Sequence, residues 1–260
     1  MNCIFICVFH QTQYLELFFI LLETILIYGS LDKNVHVLVY TSTPFMETIK
    51  LHKLFDAEKI KFEINDGFND IESACKSRVH LFKLSSINNY EKILYLDTDV
   101  IVKSDINRVF DVCKDDVLYT LEEGSIDVEG DYWGNSLFGN EIHNYVDKSA
   151  FTSGILLFKN CENIKMLFQK IIEDMANRPY YFQCYDQPYI VYNAFKYNLY
   201  NNKILKRLAV NNNENIDNDF SIHHFPGGPG EPEHKLTKMK RMVDSLGKSY
   251  GGFTDKSFNA

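Results

Sequence analysis

Two acids stand one residue apart inside an apolar run, Ile93-Leu94-Tyr95-Leu96-Asp97-Thr98-Asp99-Val100-Ile101-Val102. Four apolar residues between Lys92 and Asp97 read as a short strand buried on both faces, so Asp97 and Asp99 fall where a central strand stops. Bare carboxylates beside a core are costly unless something pairs with them. A divalent cation answers that need, because hard oxygen ligands at a strand end suit Mn²⁺ or Mg²⁺. The competing readings of the pair alone are a helix N-cap and a loop salt bridge.

A second chemical segment is His223-His224-Phe225-Pro226-Gly227-Gly228. Imidazole is a common transition-metal ligand, and a histidine at a strand end can complete a site begun by two carboxylates. Gly227 and Gly228 let backbone N–H groups approach phosphate oxygens closely, and Lys235 comes within reach of a diphosphate if the segment folds back. Strand alternation allows only one of His223 and His224 to face such a site. A plain loop with one solvated and one packed histidine is the bland alternative. In Phe151-Thr152-Ser153-Gly154-Ile155, a small-residue turn leading into a strand places the Thr152 and Ser153 hydroxyls where a sugar could bind. Asp186-Gln187-Pro188 sets an acid beside an amide at a helix start, where ordinary capping by Asp186 is the competing reading.

These groups need a scaffold at their backs, and the hydrophobic pattern describes one. Cys3–Phe9 reads as a strand, and apolar residues from Tyr14 recur at helical spacing as far as Gly29. Val35–Tyr40 and Ile60–Ile64 read as strands, and a helix is expected between about Ala74 and Ile87 before the strand that carries Asp97. Alternating strands and helices signal an α/β fold with a mostly parallel central sheet covered on both faces, where ligands collect beyond the carboxyl ends of the strands. Further on, strands are expected at Val117–Leu121, Gly154–Lys159 and Phe220–His224. Helices are expected over Ile164–Met175, from Asp186 to about Phe195, and from about His234 to Leu246, ending at Gly247. The polar stretch Glu122–Lys148, holding Tyr132 and Trp133, has the length of a functional or acceptor-facing loop. The Asn-, Lys- and Tyr-rich stretch 192–218 reads as compositional drift. Residues 1–247 then form one domain, and 248–260 a loose tail.

Composition narrows the classes further. The 260-residue chain is 45% hydrophobic and 14% aromatic, too apolar for disorder, and its net charge of −8 argues against nucleic-acid binding and a polybasic membrane anchor. Six scattered cysteines form no Cys-x-x-Cys pair, so a reducing, cytoplasmic compartment is expected. The N-terminal apolar stretch lacks a basic start and is interrupted by Glu16 and Glu23, which argues against a signal peptide or a membrane span.

Taken together, the four segments resemble the GT-A glycosyltransferases, specifically the retaining, glycogenin-like family 8, over roughly residues 3 to 240. Leu96-Asp97-Thr98-Asp99 is similar to that family's Asp-x-Asp motif. The resemblance implies that Asp97 touches the nucleotide ribose and the metal, Thr98 lies in the donor pocket, and Asp99 grips Mn²⁺. His224-Phe225-Pro226-Gly227 is similar to its His-Phe-x-Gly, which makes His224 rather than His223 the third metal ligand. By the same resemblance Tyr14 stacks on uracil beside Phe9, His10 and Gln11. Arg78 and Lys235 contact donor phosphate or sugar, and Asp186 and Gln187 face the anomeric centre.

The implied activity is transfer of a sugar, glucose being the first expectation, from a UDP-sugar to a glycan, protein or small-molecule acceptor. A homodimer is a family-level expectation. Glycogenin-like enzymes carry Asn where Thr152 stands and an acid where Gln183 stands, so neither donor sugar nor acceptor transfers from them. Two rival readings remain at this stage. Asp97-Thr98-Asp99-Val100 also fits the first motif of haloacid-dehalogenase-type phosphatases, although that motif normally follows the first strand of its domain. The other rival is a catalytically inactive nucleotide-sugar-binding domain.

Overall fold

The computed structural model describes residues 1–128, 130–179, 184–227 and 232–249; Gln183, Gly228 and positions 250–260 of the expected tail lie outside them. The first half follows the alternation seen in the sequence. Strand β1 (Asn2–Val8) leads to helix α1 (Thr12–Tyr28), and β2 (Val35–Thr41) to α2 (Thr43–Leu51). Next come β3 (Ile60–Ile64), the short helix α3 (Ile71–Lys76) and β4 (Lys92–Leu96).

The helix expected over 74–87 is not there. A capping box between Asp70 and Ser73 starts α3 earlier, and the chain then tightens into 3₁₀ turns over Ser77–Lys83 and Ser85–Asn89. Serines and asparagines crowd this stretch and compete with helical hydrogen bonding, while the tight turn buries Arg78, Val79 and Leu81.

At Asp97 the chain changes sheets. Strand β5 (Val100–Val102) leaves the main sheet, and α4 (Asn107–Asp111) follows it. Strand β6 (Leu118–Ser125), α5 (Asn135–Phe138) and β7 (Ser149–Lys159) bring the chain back to the main sheet. Then come α6 (Glu162–Asn177), α7 (Gln187–Lys196), β8 (Tyr200–Asn201), β9 (Ala209–Asn211), β10 (Ile222–His224) and α8 (Pro232–Ser249).

Among the described residues, the main sheet has seven strands in the order β3-β2-β1-β4-β7-β6-β8 and a smaller sheet has three, β5-β10-β9. The block β3-β2-β1-β4 is parallel, and β7 runs antiparallel to both β4 and β6.

Alternate residues of the central strands feed opposite faces, as period-two geometry requires. Cys3, Phe5, Ile93 and Tyr95 join one core with residues of α6 and α7. Ile4, Ile6, Leu94 and Leu96 join the other with Phe18, Leu21 and Ile25 of α1. A third cluster lays Met239, Met242 and Leu246 of α8 on Leu17 and Ile20 of α1 and on Phe225.

Strand β7 begins at Ser149, so Thr152 and Ser153 lie within a strand rather than in a turn before one. Its pairing with β6 jumps from Thr120↔Leu156 to Leu121↔Thr152, which bulges Ser153, Gly154 and Ile155 away from β6. Pairing with β4 continues there, and the Asp97 amide donates to the Gly154 carbonyl at 2.9 Å.

Because β4 must hold Asp97 at a fixed height, its core contacts matter to the site. Leu96 is fully buried, and Leu96→Ala is expected to lower stability by about 2–5 kcal/mol. Chemical denaturation followed by circular dichroism measures it.

Candidate active site

The register of the smaller sheet brings the acids to the histidine. Val100 pairs with His224, and the Phe225 amide donates to the Asp99 carbonyl at 2.9 Å, so Asp99 and His224 are cross-strand neighbours. One ligand atom each from Asp97, Asp99 and His224 lie within 4.8 Å of one another. Asp99 and His224 are almost fully buried, while Asp97 keeps partial exposure toward a cavity of about 450 Å³.

His223 turns the other way, its Nδ1 2.7 Å from the Asn213 carbonyl. His224 Nδ1 lies 2.9 Å from the Asn211 side-chain oxygen, which can only accept. With Nδ1 donating to that oxygen, a neutral imidazole would turn its Nε2 lone pair to the acids.

Asp99 Oδ1 is buried and accepts no hydrogen bond; His224 Nε2 stands 3.4 Å from it. Its other oxygen takes a 2.7 Å hydrogen bond from Lys235 Nζ. Burial alone would raise the Asp99 pKa, but the Lys235 ammonium holds it well below the usual carboxylate range. An ionised carboxylate with an orphaned oxygen, beside a second acid and a correctly polarised imidazole, fits a hard divalent cation.

Arg78 ties this cluster to the helix behind it. Its Nε and Nη2 grip both oxygens of Asp186 at 2.7 and 3.1 Å, and Nη1 donates to Asp97 at 2.8 Å and to the Ser153 carbonyl at 3.0 Å. The guanidinium also lies over the Tyr95 ring, whose hydroxyl donates to Asp97. Most of its donors are thus committed to protein acceptors, so Arg78 is not a bare cation facing the cavity.

Asp186 occupies the N-cap position of α7, yet its carboxylate makes no capping bond and is entirely turned to Arg78. Burial raises its pKa even against the pull of Arg78. Gln187 faces the open side. Its carbonyl oxygen accepts from the Ser153 amide at 2.9 Å and its nitrogen donates to the Tyr132 carbonyl at 3.1 Å.

The remaining residues singled out in the sequence divide. Phe9, Tyr14, Thr98, Thr152, Ser153, Gly227 and Lys235 line the cavity, whereas His10 and Gln11 do not. His10 sits exposed at φ 72° in the turn out of β1, and Gln11 holds the N-cap of α1. Both hydroxyls expected to bind sugar are used inside the bulge: Thr152 accepts from the Gly154 amide and Ser153 donates to Gln187.

Glu123, Asn211 and Tyr95 are site residues that the sequence reading did not single out. Asn211 lies in the stretch read as drift, which instead braces the histidine strand. An asparagine ending a three-residue strand carries no signal in the sequence. Glu123 sits partly buried at the cavity wall, its carboxyl pushed up by burial against the pull of His224 and Asn211. Cys7 and Cys75 also line the cavity, but burial pushes both thiols up to about 12, so neither is an available nucleophile.

Comparison with known proteins turns this geometry into a family. A model described as Glycosyl transferase family 8 matches residues 41–228. The chain belongs to glycosyl transferase family 8. Family 8 membership brings with it a nucleotide-sugar donor and an acceptor, and it removes the phosphatase reading. The Asp-x-Asp here also follows the fourth strand of its sheet rather than the first.

No curated protein sequence matches this family 8 chain. Solved structures do. The galactosyltransferase LgtC in complex with donor and acceptor sugar analogs is similar at 15% identity and TM-score 0.61, covering 95% of this chain and 96% of that one. The bifunctional WbbM glycosyltransferase matches at 15% and 0.61 over 94% of this chain, which spans about half (49%) of WbbM. Mouse xyloside xylosyltransferase 1 matches at 10% and 0.57, covering 86% and 98%. These likenesses establish the GT-A fold. Among the described residues no helix is long and apolar enough to cross a membrane.

Two outcomes test the geometry. Arg78→Gln leaves Asp186 buried without its partner and is expected to cost about 3–5 kcal/mol in denaturant unfolding, partly recovered in Arg78→Gln/Asp186→Asn. A Cβ on Gly154 would lie 2.5 Å from His224 Nε2 and 2.9 Å from Asp97 Oδ2. Gly154→Ala is therefore expected to weaken binding of a divalent cation at these residues by about tenfold or more in calorimetric titration.

Proposed function

We propose that this glycosyltransferase moves a hexose from a UDP-sugar to an acceptor hydroxyl with retention at the anomeric carbon and in dependence on a divalent metal. The observation that carries this reading is the meeting of Asp97, Asp99 and His224 beside the Arg78–Asp186 pair and Gln187 on one cavity.

Departure of UDP builds negative charge on the diphosphate. Asp97, Asp99 and His224 would hold a Mn²⁺ or Mg²⁺ ion, which when bound supplies Lewis-acid neutralisation of that charge. Lys235 and the Gly227 amide lie on the same side and would add fixed positive charge and a donor to the phosphates. Phe9 and Tyr14 would take the base at the β1 end.

Asp186 is turned wholly to Arg78, so its role is electrostatic and positional rather than nucleophilic. It fixes Arg78, and Arg78 in turn fixes Asp97 and the Ser153 carbonyl. Gln187, braced between Ser153 and Tyr132, would present its amide to the sugar. Support for retention comes from the family; the acceptor hydroxyl would attack from the leaving-group face. Glucose is the first donor to try.

The test is UDP release from a panel of UDP-sugars with and without Mn²⁺. One donor is expected to turn over in a metal-dependent way, and Asp99→Asn to lower that rate by about 10²-fold or more. Undiminished metal-dependent turnover in Asp99→Asn would sink the ligand assignment. Binding of UDP-sugars with no turnover across donors and acceptors would instead favour an inactive binding domain.

A further inference from the structure

The main sheet leaves one long edge unpaired among the described residues. At one end β8 has two residues, and the outer strands of the small sheet, β5 and β9, have three each. At the other end β3 has five, Ile60-Lys61-Phe62-Glu63-Ile64. The Val37 amide donates to the Lys59 carbonyl and the Asn65 amide to the Thr41 carbonyl, both at 2.9 Å, which sets the parity of the β2–β3 ladder. Lys61 and Glu63 therefore turn their main-chain groups to β2, and Ile60, Phe62 and Ile64 turn theirs outward. The Asp56 carbonyl takes the Ile60 amide at 2.8 Å, but the Phe62 and Ile64 amides meet no acceptor among the described residues.

Edge strands of this length usually carry something that discourages pairing, commonly a lysine. Here the lysine has a match. A second copy related by a two-fold axis through Phe62 would run antiparallel, with Phe62 opposite Phe62, Lys61 opposite Glu63 and Ile60 opposite Ile64. Each Phe62 amide would then meet the other copy's Phe62 carbonyl, and each Ile64 amide an Ile60 carbonyl. Lys61 and Glu63 fall at the close, non-hydrogen-bonded positions, where opposite charges facing each other stabilise. One-residue slips break the outward parity, and two-residue slips set Lys61 against Lys61 or Glu63 against Glu63. The strand admits one register and rejects its neighbours.

Both charged side chains keep bonding capacity for this. Lys61 Nζ donates to the Ala57 carbonyl at 2.7 Å, and Glu63 Oε1 accepts from the Ser86 amide at 3.0 Å. The other face of the strand is apolar. Phe55 stacks on Phe62 with ring centroids 6.0 Å apart, Ile64 is 40% exposed, and α2, which packs on β3, ends in Leu51 at 88% exposed.

We infer that β3 is the edge through which two copies of this chain pair, joining their main sheets into one. Strand β3 is parallel to β2, β1 and β4, so the two-fold axis points the two cavities in opposite directions. The pairing is independent of the donor and metal reading.

Analytical ultracentrifugation of the full chain over a concentration series tests it, with circular dichroism to check that each variant folds. The unsubstituted chain is expected to dimerise. Lys61→Glu and Glu63→Lys each set like charges opposite one another, and each should weaken dimerisation by about tenfold or more. An equimolar mixture of these two variants restores opposite charges at every pair, and should form a heterodimer within about threefold of the original affinity. Ile64→Pro removes an outward amide while sparing the bonds to β2, and should weaken dimerisation by about tenfold or more.

A monomer at every concentration overturns the inference, as does an open-ended assembly. A dimer indifferent to Lys61→Glu and Ile64→Pro also overturns it, because the contact then lies elsewhere. So does failure of the two folded charge variants to pair when mixed. Should Glu63→Lys not fold for want of its bond to Ser86, Lys61→Glu and Ile64→Pro decide between these outcomes.

Discussion

Removing carboxylates from water is expensive, and this cavity floor holds three of them within a few residues' reach. Asp99 and Asp186 are buried and Asp97 is partly exposed, while Arg78 and Lys235 are the cations that face them. Neither cation can be moved without stranding an acid, because each is bonded to specific oxygens. The arrangement remains one positive charge short, because Arg78 serves two acids, and Asp99 beside them keeps one oxygen that accepts nothing. The rest of the site follows from this imbalance. The floor attracts a hard cation, that cation would attract a diphosphate, and Arg78 keeps the helix bearing Asp186 and Gln187 in register with both.

The backbone supplies the matching geometry by departing from regularity in three places. The chain leaves the large sheet at Asp97 and enters the small one at Val100, so the two acids of the motif straddle a joint. Strand β7 bulges beside that joint, bringing a glycine against the histidine where any side chain would collide. The 3₁₀ turn after α3 drives Arg78 inward. None of these is an ideal element, and each carries a charged or ligating group to the same point.

Much of the scaffold was legible in the sequence because central strands and amphipathic helices have strong periods. Cys3–Phe9, Val35–Tyr40 and the helix after Tyr14 fall within a residue or two of β1, β2 and α1. The misreadings share a physical origin, namely that local pattern does not reveal tertiary partners. Asp186 has the sequence context of a helix cap, but a guanidinium 108 residues earlier in the chain claims it. Thr152 looked like part of a turn because the extra residues of a bulge imitate one. Asn211 lay in a biased stretch, and only the register of β9 beside β10 shows that it orients His224. The coming together of Asp97, Asp99 and His224 was readable because motif spacing captured it. Glu123 had no motif around it and became visible only through its strand's place beside β7.

The joint between the sheets has a consequence for the motions of the molecule. Asp97 belongs to the end of the large sheet, whereas Asp99 and His224 belong to the small one, which is packed under α8 through Phe225 and Ile101. An ion shared by all three would tie the two sheets together at their edge, beyond the core that Val100, Val102 and Ile222 already share with Leu94 and Leu96. Peeling the small sheet and α8 from the rest would then require ion release, so occupancy of the site would govern how often that corner of the fold breathes. A centre that handles charge would in this way also set the tempo of hydrogen exchange some distance from it.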